Sequence, residues 1–159
     1  MNNEEPANTT PQKLLADFVR ELGKGAGNVT VKAMPDPAAA IDELEAGAPG
    51  KALAVAFYES DSPDNDADVD GGCLVQARVS VAVAAHVGLK LAKDEAQSSA
   101  LAFAEIVRRK ALLQRGPFGA PRYAGMRYLS ASGGRLLHGY IVSFDIAAAF
   151  GGEELGTGD

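Results

Sequence analysis

The acid-rich run from Glu59 to Asp70 is where side-chain chemistry could first concentrate in this sequence. Asp66, Asp68, Asp70 and Gly71 fall at the first, third, fifth and sixth positions of an EF-hand loop, where carboxylates ligate Ca²⁺ and glycine makes the sharp turn. The twelfth position calls for a bidentate Glu but holds Ala77, and it lies inside a strand pattern rather than at the start of a helix. A solvated acidic loop over 59–71, joining two strands, is the plainer expectation.

Other chemistries have less material. The only histidines are His86 and His138, and no serine sits in a G-x-S-x-G elbow. Cys73, the single cysteine, opens an apolar strand pattern, where a thiol is expected as a small buried hydrophobe. His138 falls on the apolar side of its own strand pattern, as a core or interface residue would. No catalytic residue, metal site or cofactor is expected. Gly23-Lys24-Gly25-Ala26-Gly27 superficially resembles a phosphate loop, but it follows a helix and precedes a strand. That order is the reverse of the one that aims backbone N–H groups at phosphate. Arg108, Arg109, Lys110, Arg115, Arg122 and Arg127 form the one basic concentration, and near it only Tyr123 and Tyr128 could stack on bases.

A chain of 159 residues, 47% apolar, can bury a core without metal or disulfide staples. Its aromatic side chains are few and tryptophan is absent, so small residues must pack through close backbone approach. The start, MNNEEPANTTPQ, is acidic and polar, unlike a signal peptide, and no run approaches the roughly 18–20 apolar residues of a membrane span. A soluble cytoplasmic protein without membrane contact is expected. Removing the six acids of 59–70 from the 21 present leaves 15, equal to the 15 lysines and arginines. The remainder is neutral overall, which makes global attraction to nucleic acid a poor expectation.

Residues 1–9 are expected to be disordered. Thr10-Pro11 then supplies a helix N-cap and first-turn proline, Leu14, Leu15, Phe18, Val19 and Leu22 recur at helical spacing, and Gly23 is a stop. NVTVKA (28–33) reads as a strand. A second helix begins at the cap Asp36 and ends at Gly47, with a thin apolar face of Ala40, Ile41 and Leu44. KALAVAFY (51–58) is apolar on both sides, as in a central strand. From Cys73 to Val87 every odd position is apolar, predicting a long strand with one buried face. A third helix follows, with Asp94 and Gln97 resembling a capping box and Ala100, Phe103, Ala104, Val107 and Ala111 as its buried stripe. Gly133-Gly134 predicts a two-residue hairpin turn that sets Ala131 opposite Leu136, Leu129 opposite His138 and Tyr128 opposite Gly139. Residues 151–159 are a flexible tail. The order α-β-α-β-β-α-β-β over residues 10–150 predicts one α+β domain, a largely antiparallel β-sheet with helices packed on one face.

The succession of "KALAVAFYES", a polar segment, "LVQARVSVAVAAHV", "QSSALAFAEIVRRKALL" and "YIVSFDIAAAF" resembles the tail-terminator, or tail-completion, family of long-tailed bacteriophages, including Mu-like phages and prophages. The resemblance spans about residues 11–150 and rests on element order and hydrophobic pattern. It implies a non-enzymatic structural protein of the virion. Such a protein is made in the host bacterial cytoplasm, needs no cofactor, and forms a ring, commonly hexameric, that caps the tail tube and joins it to the head. The implied partners are further copies of the chain, the tail-tube protein and head–tail connector proteins, with nucleic acid only passing through the ring. No residue-level motif carries over.

Ring assembly needs two different surfaces that fit each other on neighbouring subunits. The residues alone suggest an acidic surface at Asp64, Asp66 and Asp68 and a basic one at Arg108, Arg109 and Arg115. The alternative is a small α+β module that binds RNA or protein as a monomer or dimer.

Overall fold

In the computed structural model the described residues are 9–24, 30–45, 53–69, 72–86, 93–115, 120–130 and 137–151. Helix α1 (Pro11–Gly23) starts where the sequence requires: Thr10 Oγ1 accepts from the Lys13 N–H at 3.1 Å, and Pro11 has no N–H to leave unpaired. Strand β1 (Thr30–Met34) leads to α2 (Pro37–Glu45), which Asp36 caps by accepting from the Ala39 N–H at 2.8 Å. Strands β2 (Leu53–Val69) and β3 (Gly72–His86) precede α3 (Lys93–Leu112), and β4 (Arg122–Ser130) and β5 (Leu137–Gly151) complete the order. The expected stop at Gly47, the turn at Gly133-Gly134 and the expected tails apart from Thr9 and Gly151 lie outside the described residues; Gly151, expected in the tail, ends β5 opposite Gly72.

The fold is α+β, as the element order predicts. Its five strands lie in the order β1-β2-β3-β5-β4, and only β1 and β2 are parallel. A parallel pair needs a crossover rather than a hairpin, and α2 is that crossover. The helices do not all share one face, and here the expectation is corrected. Leu15, Phe18 and Leu22 of α1, with Phe103, Ala104, Val107 and Ala111 of α3, pack on a first face made of Ala54, Ala56, Val79, Val81, Val83, Val142 and Phe144. Ala40 and Leu44 of α2 pack on the second face, against Val55, Phe57, Ala82, Ala84 and Ile141. Alternate residues of one strand point to opposite faces, so the doubly apolar runs at 54–57 and 81–84 demand a cover on both sides.

The expected buried stripe of α3 is buried in full, Ala100 included. Packing between sheet strands is tight at Gly139, opposite Ala84, where a Cβ would stand 2.4 Å from the Val83 carbonyl oxygen.

Four further expectations are corrected. The segment 59–69 is not a simple loop: β2 runs through it and pairs with β3 from Ser60 to Pro63 and again at Asp68 and Val69, with a break in register over residues 64–67. Charged residues mimic a loop in sequence, but β3 continues outward to Gly72 and offers its backbone groups for pairing. Cys73 is exposed rather than buried, because it lies near the end of that arm. The β4–β5 register places Leu129 opposite Gly139, Ser130 opposite His138 and Tyr128 opposite Tyr140, one residue away from that of a two-residue turn. This register stacks Tyr128 edge-on to Tyr140 at 5.6 Å. A bulge takes up the slip where Tyr123 faces Phe144 and Gly125 faces Ser143; Gly125 adopts φ 131°, which a glycine tolerates without a Cβ clash. Finally, Thr9 is tied to the sheet: its N–H donates to the Ala149 carbonyl at 2.8 Å, beside a parallel bridge to Phe150.

Candidate interaction surface

The second face of the sheet divides into a covered and an open half. Helix α2 reaches no farther outward than Phe57, Ala82 and Ile141. Beyond it the rows across the strands turn polar. In the Phe57 row Ser80 faces Ser143, which in turn faces Gly125, and the next row runs Ser60, Arg78, Asp145, Arg122 from β2 to β4. A bulge between Tyr58 and Ser60 inserts Glu59 beside these rows.

Hydrogen bonds lock the band. Ser80, fully buried, donates through Oγ to Glu59 Oε1 at 2.6 Å and lies 2.8 Å from Ser143 Oγ. A hydroxyl has one proton, so with Ser80 donating to Glu59 the Ser143 hydroxyl is the donor to Ser80. Arg78 holds Asp145 in a fork, Nε to Oδ1 at 2.9 Å and Nη2 to Oδ2 at 3.1 Å. The carboxylate bond and charge of Asp145 raise the Arg78 guanidinium above its ordinary pKa, keeping it charged. Asp145 also stands directly opposite Arg122, whose exposed side chain makes no ion pair among the described residues. Arg127, likewise exposed and without an ion pair, lines a shallow cleft of about 250 Å³ with Glu59, Arg78, Gly125 and Ser143. The arrangement is a flat polar field with two free cations at one margin. The cleft is shallow and its rim is exposed at Glu59 and Arg127, so it does not enclose a small molecule.

The residues singled out by sequence for assembly are not brought together within one chain. Asp64, Asp66 and Asp68 lie on the outward part of β2, beyond its pairing with β1, which ends at Phe57. Arg108 and Arg109 lie on α3, whose Arg108 stacks over the Tyr123 ring of β4 at 5.1 Å, at the opposite margin of the sheet. Both arginines are engaged by Glu105: Arg108 pairs with it closely, and Arg109 Nε lies 3.5 Å from Oε2. The Arg108 bond holds the Glu105 carboxyl below the usual carboxylate range. Arg115 donates to the carbonyls of Gln114 at 2.9 Å and Leu112 at 3.4 Å, and so closes the end of α3.

Sequence reasoning missed Glu59, Arg78, Ser80, Ser143 and Asp145 as a group. The signal was present in the polar even positions of β3 and in Ser143 and Asp145 alternating with Val142 and Phe144. Only the strand order β3-β5 brings the two sets side by side. Among the described residues no group of three or more His, Cys, Asp and Glu side chains could hold a metal ion. No protein-family model matches this chain, and no curated protein matches its sequence.

Proposed function

We propose that this chain is a structural subunit of the phage tail-terminator type, a ring-forming protein that caps a tail tube and joins it to the head, without catalytic turnover or cofactor. The observation that carries this reading is the uneven cover of the sheet. Among the described residues the chain's own helices cover the first face and the inner half of the second, while no helix packs on the second-face row of Ser60, Arg78, Asp145 and Arg122 or on the outer edges of β2 and β4. A subunit that works alone has little physical reason to extend β2 and β3 past its second-face cover. A subunit that docks to neighbours needs such a platform, and rigid strands hold it more exactly than loops would. The element order that carries the resemblance is also the order of the fold.

Negative-stain microscopy and light scattering of the purified chain, alone and with a tail-tube protein, test the reading. Rings, or caps at tube ends, are expected. A monomer that ignores tube ends at every concentration would overturn it.

A further inference from the structure

We infer that neighbouring copies of this chain join head to tail through two opposite margins of the sheet, the outward edge of β2 on one copy meeting the free edge of β4 on the next. This rests on the self-association reading above and names its contact.

Among the described residues β1 covers β2 only from Leu53 to Phe57, so the outer edge of β2 from Tyr58 to Val69, whose pairing with β3 is interrupted over residues 64–67, has no strand beside it. That edge carries Glu59, Asp61, Asp64, Asp66 and Asp68 and no basic residue. At the other margin β4 pairs only with β5, and it carries Arg122 and Arg127 and no acidic residue. Unpaired strand edges are templates for association, and proteins control them with charge. Here the charges choose among the pairings. Two β2 edges repel each other, and so do two β4 edges. Only β2 against β4 brings opposite signs together, a heterologous contact that closes into rings where the rotation allows.

Direction agrees with this. From β2 through β3 and β5 to β4 the sheet reverses three times, so β2 and β4 are antiparallel within one copy. A neighbour continuing the sheet in the same sense therefore presents its β4 antiparallel to β2, the pairing that most stabilises a sheet edge. The arginines that serve are Arg122 and Arg127 on the strand. Arg108 and Arg109 on α3 are already held by Glu105.

The test uses two full-length variants, Asp64→Lys/Asp66→Lys/Asp68→Lys and Arg122→Glu/Arg127→Glu, with mass read by sedimentation at low and high salt. Each variant alone should fall from the wild-type assembly to the 16.4 kDa monomer. An equimolar mixture should regain the assembly, because each reversed edge then meets a complementary one, and regain itself shows that both variants fold. Arg108→Glu/Arg109→Glu should leave the assembly intact. Variants that assemble alone like the wild type, or a mixture of folded variants that stays monomeric, would overturn the edge contact while leaving ring formation standing. A wild-type chain monomeric under all conditions overturns ring formation itself, and the edge contact with it.

Discussion

The inner and outer halves of this sheet are made from the same strands and obey different rules. Inward, residues 54–57 of β2 and 81–84 of β3 are apolar on both faces and lie between α1 and α3 on one side and α2 on the other. Outward, the same strands keep an apolar first face, where Val75, Ala77, Ala148 and Phe150 pack with Leu14 and Tyr58, and on the second turn polar over the rows Ser80–Ser143 and Arg78–Asp145. The change occurs within one row of residues, between Ala82 and Ser80 on β3 and between Ile141 and Ser143 on β5. A covering helix is thus written into a strand twice, once as the helix's own apolar stripe and once as the point where alternation begins.

The largest effects should separate the halves by stability. Phe57→Ala and Phe144→Ala remove rings buried in the doubly covered half and should each cost about 3–5 kcal/mol in denaturant unfolding. Phe150→Ala, in the singly covered half, should cost less, because neighbours on an open sheet collapse toward the gap more readily. Equal losses at all three would break the distinction. Gly139→Ala sharpens it by sign. An exposed strand glycine gains from a Cβ, but here the methyl would meet the Val83 carbonyl, and a loss of about 1–3 kcal/mol is expected.

Smaller effects probe the polar band. Ser80→Ala removes one buried hydroxyl and leaves Glu59 free to turn to water, so a loss of about 1 kcal/mol is expected. A double-mutant cycle on Arg78→Ala and Asp145→Ala should give a coupling of about 0.5–1 kcal/mol in unfolding, since both side chains remain partly open to solvent. If these groups serve docking, their exchange should disturb assembly more than it disturbs the fold.

The sequence was most legible where one period held over many residues. The α3 stripe and the odd positions of β3 could be assigned because a buried face repeats itself. Alanine hid the second cover: Ala82 and Ala84 fit a solvent face or a buried one equally well, so α2 was placed with the other helices. Charge hid the outward half of β2, whose aspartates have poor strand propensity; of these only Asp61 and Asp68 stand opposite β3, at Ala77 and Cys73. The β4–β5 register is one residue off between Ser130 and Gly125, and the bulge at Gly125 that takes up the slip is announced by no local pattern. The polar band was illegible as a band because its members come from β2, β3 and β5, and only strand order makes them neighbours.

The finest test of the boundary is Tyr58, on the first face of the outer half, where its ring approaches Phe150 at 6.3 Å and its hydroxyl donates to Asp61 Oδ2 at 2.6 Å. Burial, and then the bond to the Asp61 carboxylate, push its phenol well above the ordinary tyrosine range. A raised pKa means that the fold prefers the protonated phenol. Its contribution is therefore complete below a pH of about 10, where the unfolded chain is also protonated, and declines above it as only the unfolded chain gives up the proton. Tyr58→Phe removes that dependence. The stability difference between wild type and variant, followed by denaturant unfolding from neutral to strongly alkaline pH, should hold steady and then narrow beyond pH ~10. A difference that stays constant across that limb would mean that Tyr58 is no more enclosed than a surface tyrosine, and the first face of the outer half would then be open as well.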